Sequence, residues 1–386
     1  MRWILVCFLA PFAALVSSPA FAQITRAPAP KEASKVTVET YAKGLVNPWA
    51  FRFLPDGRML VTEIRGTLRI VDKSGAVSSP IKGVPAVVAS GQGGLLDVAL
   101  APDHATSNTI YLTFSEPRGS GRIGTSLARG RLVLDGTEAR LENVAVVFQQ
   151  KPDYAAPMHF GSRIAFARDG SVFVTLGERN TVRESGTIQQ AAQNPANHFG
   201  KVVRLNADGT AHAATPKLPN WAPEVWSIGH RNPQAAAINP ATGALWTVEH
   251  GARGGDEINI PQAGKNYGWP VISYGRDYSG SKIGVGTQQA GMEQPVYYWD
   301  PSIAPSGMAF YTGDLMPAWK GNVFVGALAG SHLARLVLAG DKIIAEEKLL
   351  SGERERIRDV RQGPDGALYV ATDNARGRIL RIGPGK

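Results

Sequence analysis

Five places in this 386-residue chain hold polar side chains in settings that can do chemistry. His159 opens the string "HFGSRIAF". A loop histidine can accept a proton as general base near neutral pH, although a histidine satisfied by structural hydrogen bonds is the more frequent case. Gly229-His230-Arg231-Asn232-Pro233 sets a fixed cation beside an amide. Gln92 lies in "GQGGLLDVAL", and Arg356 and Arg358 open "RIRDV". The stretch 250–270, "HGARGGDEINIPQAGKNYGWP", is Gly-rich and carries the adjacent carboxylates Asp256 and Glu257. Carboxylates combined with loop carbonyls suit a hard cation such as calcium. The spacing is not that of an EF-hand, and by itself such a loop is more often a plain turn with an exposed acidic pair.

Other chemistries lack their residues. The single Cys, Cys7, falls in the leading apolar stretch, so the rest of the chain has no thiol for nucleophilic catalysis or zinc. No His-Glu-x-x-His or Gly-x-Ser-x-Gly string occurs, and "GQGG" lacks the Gly-Lys-Ser/Thr ending of a phosphate loop.

These residues need elements to position them, and the elements repeat. An apolar run, a Pro/Asp/Gly turn and a β-branched strand recur six times, at 48–71, 95–115, 162–177, 233–249, 306–338 and 357–382. Asp56-Gly57, Asp169-Gly170 and Asp365-Gly366 supply tight-turn chemistry, because Gly accepts positive φ at little cost. Spacing between copies is unequal, so inserts enter between similar units. The pattern predicts an all-β fold: a six-bladed β-propeller with four-stranded antiparallel blades. Val36 to Tyr41 is expected to supply the strand that closes the last blade. Gln92, His159, Arg231 and Arg356 each fall just before an inner strand. Their common position predicts one central site for an anionic, hydrogen-bonding ligand.

Composition agrees with a turn-rich β protein: 43 Gly, 26 Pro and 44% apolar residues exclude a coiled coil or a disordered chain. Lys and Arg exceed Asp and Glu by 41 to 32, a net charge of +9. The basic residues form no long run, which argues against nucleic acid; a generally basic protein is the plainer reading, and a few focused arginines around a small anion the other. Arg2, the apolar stretch Ile4 to Val16 and Ala20-Phe21-Ala22 read as a secretory signal peptide over 1–22. A flexible tether over 23–35 and the propeller over 36–386 follow. The expectation is a secreted or periplasmic protein that does not insert into a membrane.

The strings "GQGGLLDVAL", "HFGSRIAF", "GHRNPQ", "HGARGGDEIN…GKNYGWP" and "RIRDV", in this order, resemble the soluble PQQ-dependent sugar dehydrogenases of the aldose sugar dehydrogenase type. The likeness spans roughly Val36 to Ile382. It implies pyrroloquinoline quinone (PQQ) and calcium as cofactors. It also implies oxidation of an aldose at the anomeric carbon to a lactone, with hydride passing to the calcium-activated quinone. His159 would be the base. Gln92, Arg231, Asn232, Tyr278, Arg356 and Arg358 would contact the cofactor, with Arg231 near the reduced carbonyl. Carbonyls of Gly251 and Ala252 would ligate the activating calcium, and Glu257 and Tyr267 a further one.

Two positions depart from the family pattern. Ala329 in "GALAGSH" stands where some members have a Lys, so Arg335 or another cation must compensate. Glu178 stands where some have an Asp beside the base. Electrons would leave to an external acceptor that the sequence does not identify, and the compact inserts favour a monomer. The alternatives are a calcium-dependent lactonase on a similar scaffold and a non-catalytic glycan- or protein-binding propeller.

Overall fold

The computed structural model describes residues 27–136, 138–181 and 191–385. The expected signal peptide over 1–22 lies outside them. The chain begins with β1 (Val36–Leu45). The first blade follows as β2 (Pro48–Phe53), β3 (Met59–Glu63) and β4 (Thr67–Val71). The second contains β5 (Leu95–Leu100), a single helical turn α1 (His104–Ser107), β6 (Thr109–Pro117), β7 (Ile123–Asp135) and β8 (Glu138–Gln149). The third is β9 (Gly161–Phe166), β10 (Val172–Leu176), β11 (Lys201–Leu205) and β12 (Val225–Ile228). The fourth is β13 (Pro233–Ile238), β14 (Leu245–Glu249), β15 (Asp256–Asn259) and β16 (Tyr297–Trp299). The fifth is β17 (Pro305–Phe310), β18 (Val323–Ala327), β19 (His332–Ala339) and β20 (Lys342–Leu349). The sixth is β21 (Ile357–Gln362), β22 (Leu368–Thr372) and β23 (Gly377–Pro384).

All six blades are antiparallel, and the innermost strands β2, β5, β9, β13, β17 and β21 contact one another in a closed ring. The expected six-bladed propeller is therefore what the chain forms. β1 pairs with β23 from Val36 opposite Pro384 to Leu45 opposite Gly377, completing the last blade with a strand from the other end of the sequence. Ring closure leaves no blade without a neighbour on each side. The first blade has three full strands, and Val77 bridges back to Val71 in the fourth place.

Burial follows radial position. The second strands β3, β10, β14, β18 and β22 are buried at every residue, while the outer strand β20 alternates buried and exposed positions. Apolar side chains fill six seams, one between each pair of adjacent blades. At the Asp-Gly turns Gly57, Gly170 and Gly366 have φ of 89°, 82° and 79°, as the hairpin chemistry requires. The segment expected as a tether is held against the fifth blade from Ala27 onward. Ser34 donates to Glu347 and accepts from Trp319 and Arg335, and Pro28 accepts from Glu346. No helix among the described residues is long and apolar enough to cross a membrane.

Candidate active site

The mouth of the propeller holds a cavity of about 490 Å³. Residues at the starts of five innermost strands line it, among them Trp49, Gln92, Gln234, Ala304, Arg356 and Arg358. Of the expected site residues, Gln92, Arg356 and Arg358 reach this cavity directly. His159, Arg231 and Asn232 form the hydrogen-bonded wall beside it: His159 N–H donates to Gln92 Oε1 (2.9 Å), and Arg231 Nη1 to the carbonyl of His250, itself a lining residue (3.2 Å).

The backbone around His159 is forced into place. His159 and Ser162 have φ of +48° and +85°, sparsely populated values for residues with a Cβ. Gly177 follows β10, and a Cβ there would sit 2.0 Å from the His159 carbonyl oxygen, so only glycine lets Glu178 come alongside. Glu178 Oε1 is 2.5 Å from His159 Nδ1, and its Oε2 accepts from Thr181 N–H (2.7 Å) and Oγ1 (3.0 Å). A carboxylate only accepts, so Nδ1 carries the proton and Nε2 keeps its lone pair. Burial and the nearby Arg231 charge hold the His159 pKa below the ordinary histidine value, against the upward pull of Glu178. Burial alone would raise the Glu178 pKa; the His159 hydrogen bond and the nearby positive charges keep it below the usual carboxylate range. Arg179 fastens the same loop through the carbonyls of Met158 and Ala156.

The Arg-Asn pair is pinned by its neighbours. His230 stacks on Tyr267 (4.8 Å between centroids) and meets Glu249 and Ser227, while Arg231 N–H donates to Glu249 (2.6 Å). Asn232 Oδ1 accepts from Gly161 N–H (3.1 Å). Arg231 Nε, Asn232 Nδ2 and Arg358 Nε are buried donors that meet no acceptor among the described residues. Arg358 bonds Gln234 and Asp373, and Arg356 shares Asp373. Three guanidinium groups, Arg65, Arg356 and Arg358, line the cavity against one carboxylate, Asp373, an excess that favours an anion.

Neither carboxylate of the Gly-rich loop is an exposed turn residue. Asp256 is fully buried and accepts from the backbone of Gly251, Ile303 and Ala304, which ties the loop to the fifth blade. Glu257 lies with Glu249 around Asn259, whose buried Oδ1 meets no donor among the described residues. Burial, then the Glu249 charge, pushes the Glu257 carboxyl up to about 8. A Cβ on Gly251 would fall 2.2 Å from the Gly254 carbonyl oxygen, which explains the glycine there. Gly251 and Ala252 follow the lining residue His250 in sequence without lining the cavity themselves, and neither Glu257, which meets Asn259, nor Tyr267, which stacks on His230, lines it. Tyr278 is 58% exposed on the 260–296 insert and is not a lining residue.

Arg335 does not replace the missing Lys. It is committed to Asn322, Ser34, Glu347 and the Ala318 carbonyl at the outside of the fifth blade. Arg356 is the cation beside that loop, donating to the Leu328 carbonyl (3.3 Å). Sequence reasoning missed Trp49, Gln234, His250 and Asp373 as wall residues. Gln234 and Trp49 did carry a signal, since both lie at inner-strand starts. His250 is a bystander to proton transfer: burial, with Arg231 and Arg358 nearby, lowers its pKa to about 3, and its Nε2–H donates to Pro305.

Fold and mouth together define a six-bladed propeller with one cation-lined axial site. The family model described as Glucose / Sorbosone dehydrogenase matches residues 45–381, and the chain belongs to that family. It is 45% identical to aldose sugar dehydrogenase YliI of Escherichia coli (strain K12), over 90% of this chain and 93% of the relative. The apo-form crystal structure of the soluble aldose sugar dehydrogenase from Escherichia coli superposes with a TM-score of 0.86, covering 90% of this chain and 99% of that one. The PQQ-bound aldose sugar dehydrogenase from Streptomyces coelicolor, 29% identical, has a TM-score of 0.72 over 91% of this chain and 99% of that one.

Proposed function

We propose that this protein oxidises aldose sugars at the anomeric carbon to lactones, with PQQ and calcium bound at the propeller mouth. The three buried donors without acceptors, Arg231 Nε, Asn232 Nδ2 and Arg358 Nε, support this most directly. They fit a quinone that carries several carboxylates, and the 490 Å³ cavity gives it room. Gln92, Arg231, Asn232, Arg356 and Arg358 would hold it; Tyr278, outside the cavity lining, would meet it only if the 260–296 insert turned over the mouth. No group of three or more His, Cys, Asp or Glu among the described residues is arranged to hold a metal. By the family likeness, calcium at the mouth would rest on the backbone carbonyls of Gly251 and Ala252, oxygens of the kind a hard cation takes. A further calcium would satisfy Glu257, with Tyr267.

When bound, PQQ supplies a two-electron acceptor, which calcium makes more electrophilic as a Lewis acid. This chain's residues do the rest. His159 Nε2, with its lone pair available, takes the proton of the sugar's anomeric hydroxyl. Glu178 fixes the tautomer and shares the charge that His159 acquires. Arg231, desolvated against Trp269, presents a fixed positive charge to oxygen that becomes negative in the reaction. The two electrons taken from each sugar then leave to an external acceptor.

The test is reconstitution of the full chain with PQQ and calcium, followed by dye reduction with a panel of aldoses. Bleaching of the quinone absorbance by sugar is expected. Turnover of a lactone with calcium alone, and no response to sugar, would overturn the proposal.

A further inference from the structure

Three of the strings that carry the family likeness contain an ionisable residue to which no cofactor contact falls: Asp97, Arg163 and Asp359. They come from three different blades and meet on the axis, further along the innermost strands than the mouth. Arg163 is 1% exposed. Its Nη1 donates to Asp97 Oδ1 and Asp359 Oδ1, both at 3.2 Å, and its Nε to the Gln234 carbonyl at 2.9 Å. Its guanidinium lies 4.4 Å from the centre of the Trp49 ring. Trp49 and Gln234 line the cavity, and the Gln234 side chain accepts from Arg358 Nη1 at 2.9 Å. Arg163 therefore lies outside the cavity yet touches two residues of its wall and reaches a third through Gln234.

We propose that Arg163 is a positioning residue for the cofactor site: its planar fork, anchored by Asp97 and Asp359, sets the Trp49 ring, the Gln234 backbone and, through Gln234, the Arg358 guanidinium. A guanidinium suits this role because Nη1 serves both carboxylates and Nε the Gln234 carbonyl while the flat face lies over the indole. A lysine ammonium keeps the charge and loses the geometry. Arg52 supplies the internal control. It bonds the same two carboxylates, Asp97 at 3.2 Å and Asp359 at 3.5 Å, and its other hydrogen bond goes to the Phe51 carbonyl, away from the wall.

The inference rests on the PQQ reading above, and the experiment separates the two. PQQ is titrated into the full-length wild type, Arg163→Lys and Arg52→Lys with calcium present, following quenching of tryptophan fluorescence, and Tm is measured for each. Arg163→Lys is expected to bind PQQ at least about tenfold more weakly than Arg52→Lys, with similar Tm values for the two variants. Equal PQQ affinity in both variants overturns the positioning role and leaves the PQQ reading standing. A wild type that takes up no PQQ overturns both. Should Arg163→Lys not fold, Gln234→Ala keeps the Arg163 anchor and cuts the tie to Arg358. It is expected to weaken PQQ to a similar extent, and wild-type affinity there overturns the relay.

Discussion

A histidine works as a base at neutral pH when one ring nitrogen is bare and the other is held. His159 meets both conditions through Glu178, and its depressed pKa keeps the ring neutral below the ordinary histidine value of 6.5. Loss of activity on acidification is therefore expected to set in below pH 6.5, because the active form is the unprotonated one. Glu178→Gln removes the charge that raises the His159 pKa. The acid limb of the kcat profile should move to lower pH, and kcat should fall by roughly one to two orders of magnitude as base strength is lost. A limb that moves to higher pH would contradict this pairing. His159→Ala should lower sugar-dependent dye reduction by about 10²–10⁴-fold with PQQ binding retained, measured by titration and turnover on the same preparation. His159, Arg231 and Asn232 were legible in the sequence because each sits in a short polar string at a blade entrance. Trp49 and Gln234 carry only the signal of their place at inner-strand starts, and an uncharged residue there looks like any core position until the blades are placed around one axis. Nor could a string reveal that Arg356, rather than Arg335, stands by Ala329.

At the scale of elements, the turns and inner strands were readable because their chemistry is local. The six repeats begin within one residue of β2, β5, β9, β13, β17 and β21. The incomplete fourth strand of the first blade was not foreseen, and its cause is in the chain: Pro80 and Pro85 interrupt the 72–94 segment and lack the N–H that a strand ladder needs. Where that segment enters β5, Gly94 has φ of +152° and a Cβ there would lie 1.7 Å from the Ile64 carbonyl oxygen. Gly94→Ala is expected to cost about 3 kcal/mol or more and to displace Gln92, lowering both the denaturant midpoint and PQQ affinity. The Gly-rich loop makes a separate prediction. If Glu257 holds calcium, a chelator should lower the wild-type Tm by several degrees through lost binding energy. The same treatment should move the Tm of Glu257→Ala much less.

The whole molecule is held by its closure. The inner strands close where β2 meets β21, and the last blade is completed by β1 lying on β23, with Thr37 bonding to Pro384 across 347 positions of sequence. Deleting residues 1–35 removes the Ser34 network but keeps this pairing, so the protein should still fold with a modestly lower Tm. Deleting 1–45 strips the outer strand from the last blade and bares the β23 edge. Tm should fall by at least about 10 °C, or the protein should aggregate, and light scattering during thermal unfolding separates these outcomes. That Val36 to Tyr41 closes the last blade is reachable by counting strands against six four-stranded blades. The axial ion cluster could not be counted in this way, since it forms from single residues of separate blades.

That closure also sets a clock. A strand made at the start of synthesis waits for one made at the end, and meanwhile five blades can form with an unsealed gap between the first and the last. The slow step of folding should be this one long-range docking, with the entropy of a loop of nearly the whole chain to overcome. An early strand kept waiting is also an early strand exposed, so the interval before the seal is when the chain is most open to pairing with a copy of itself.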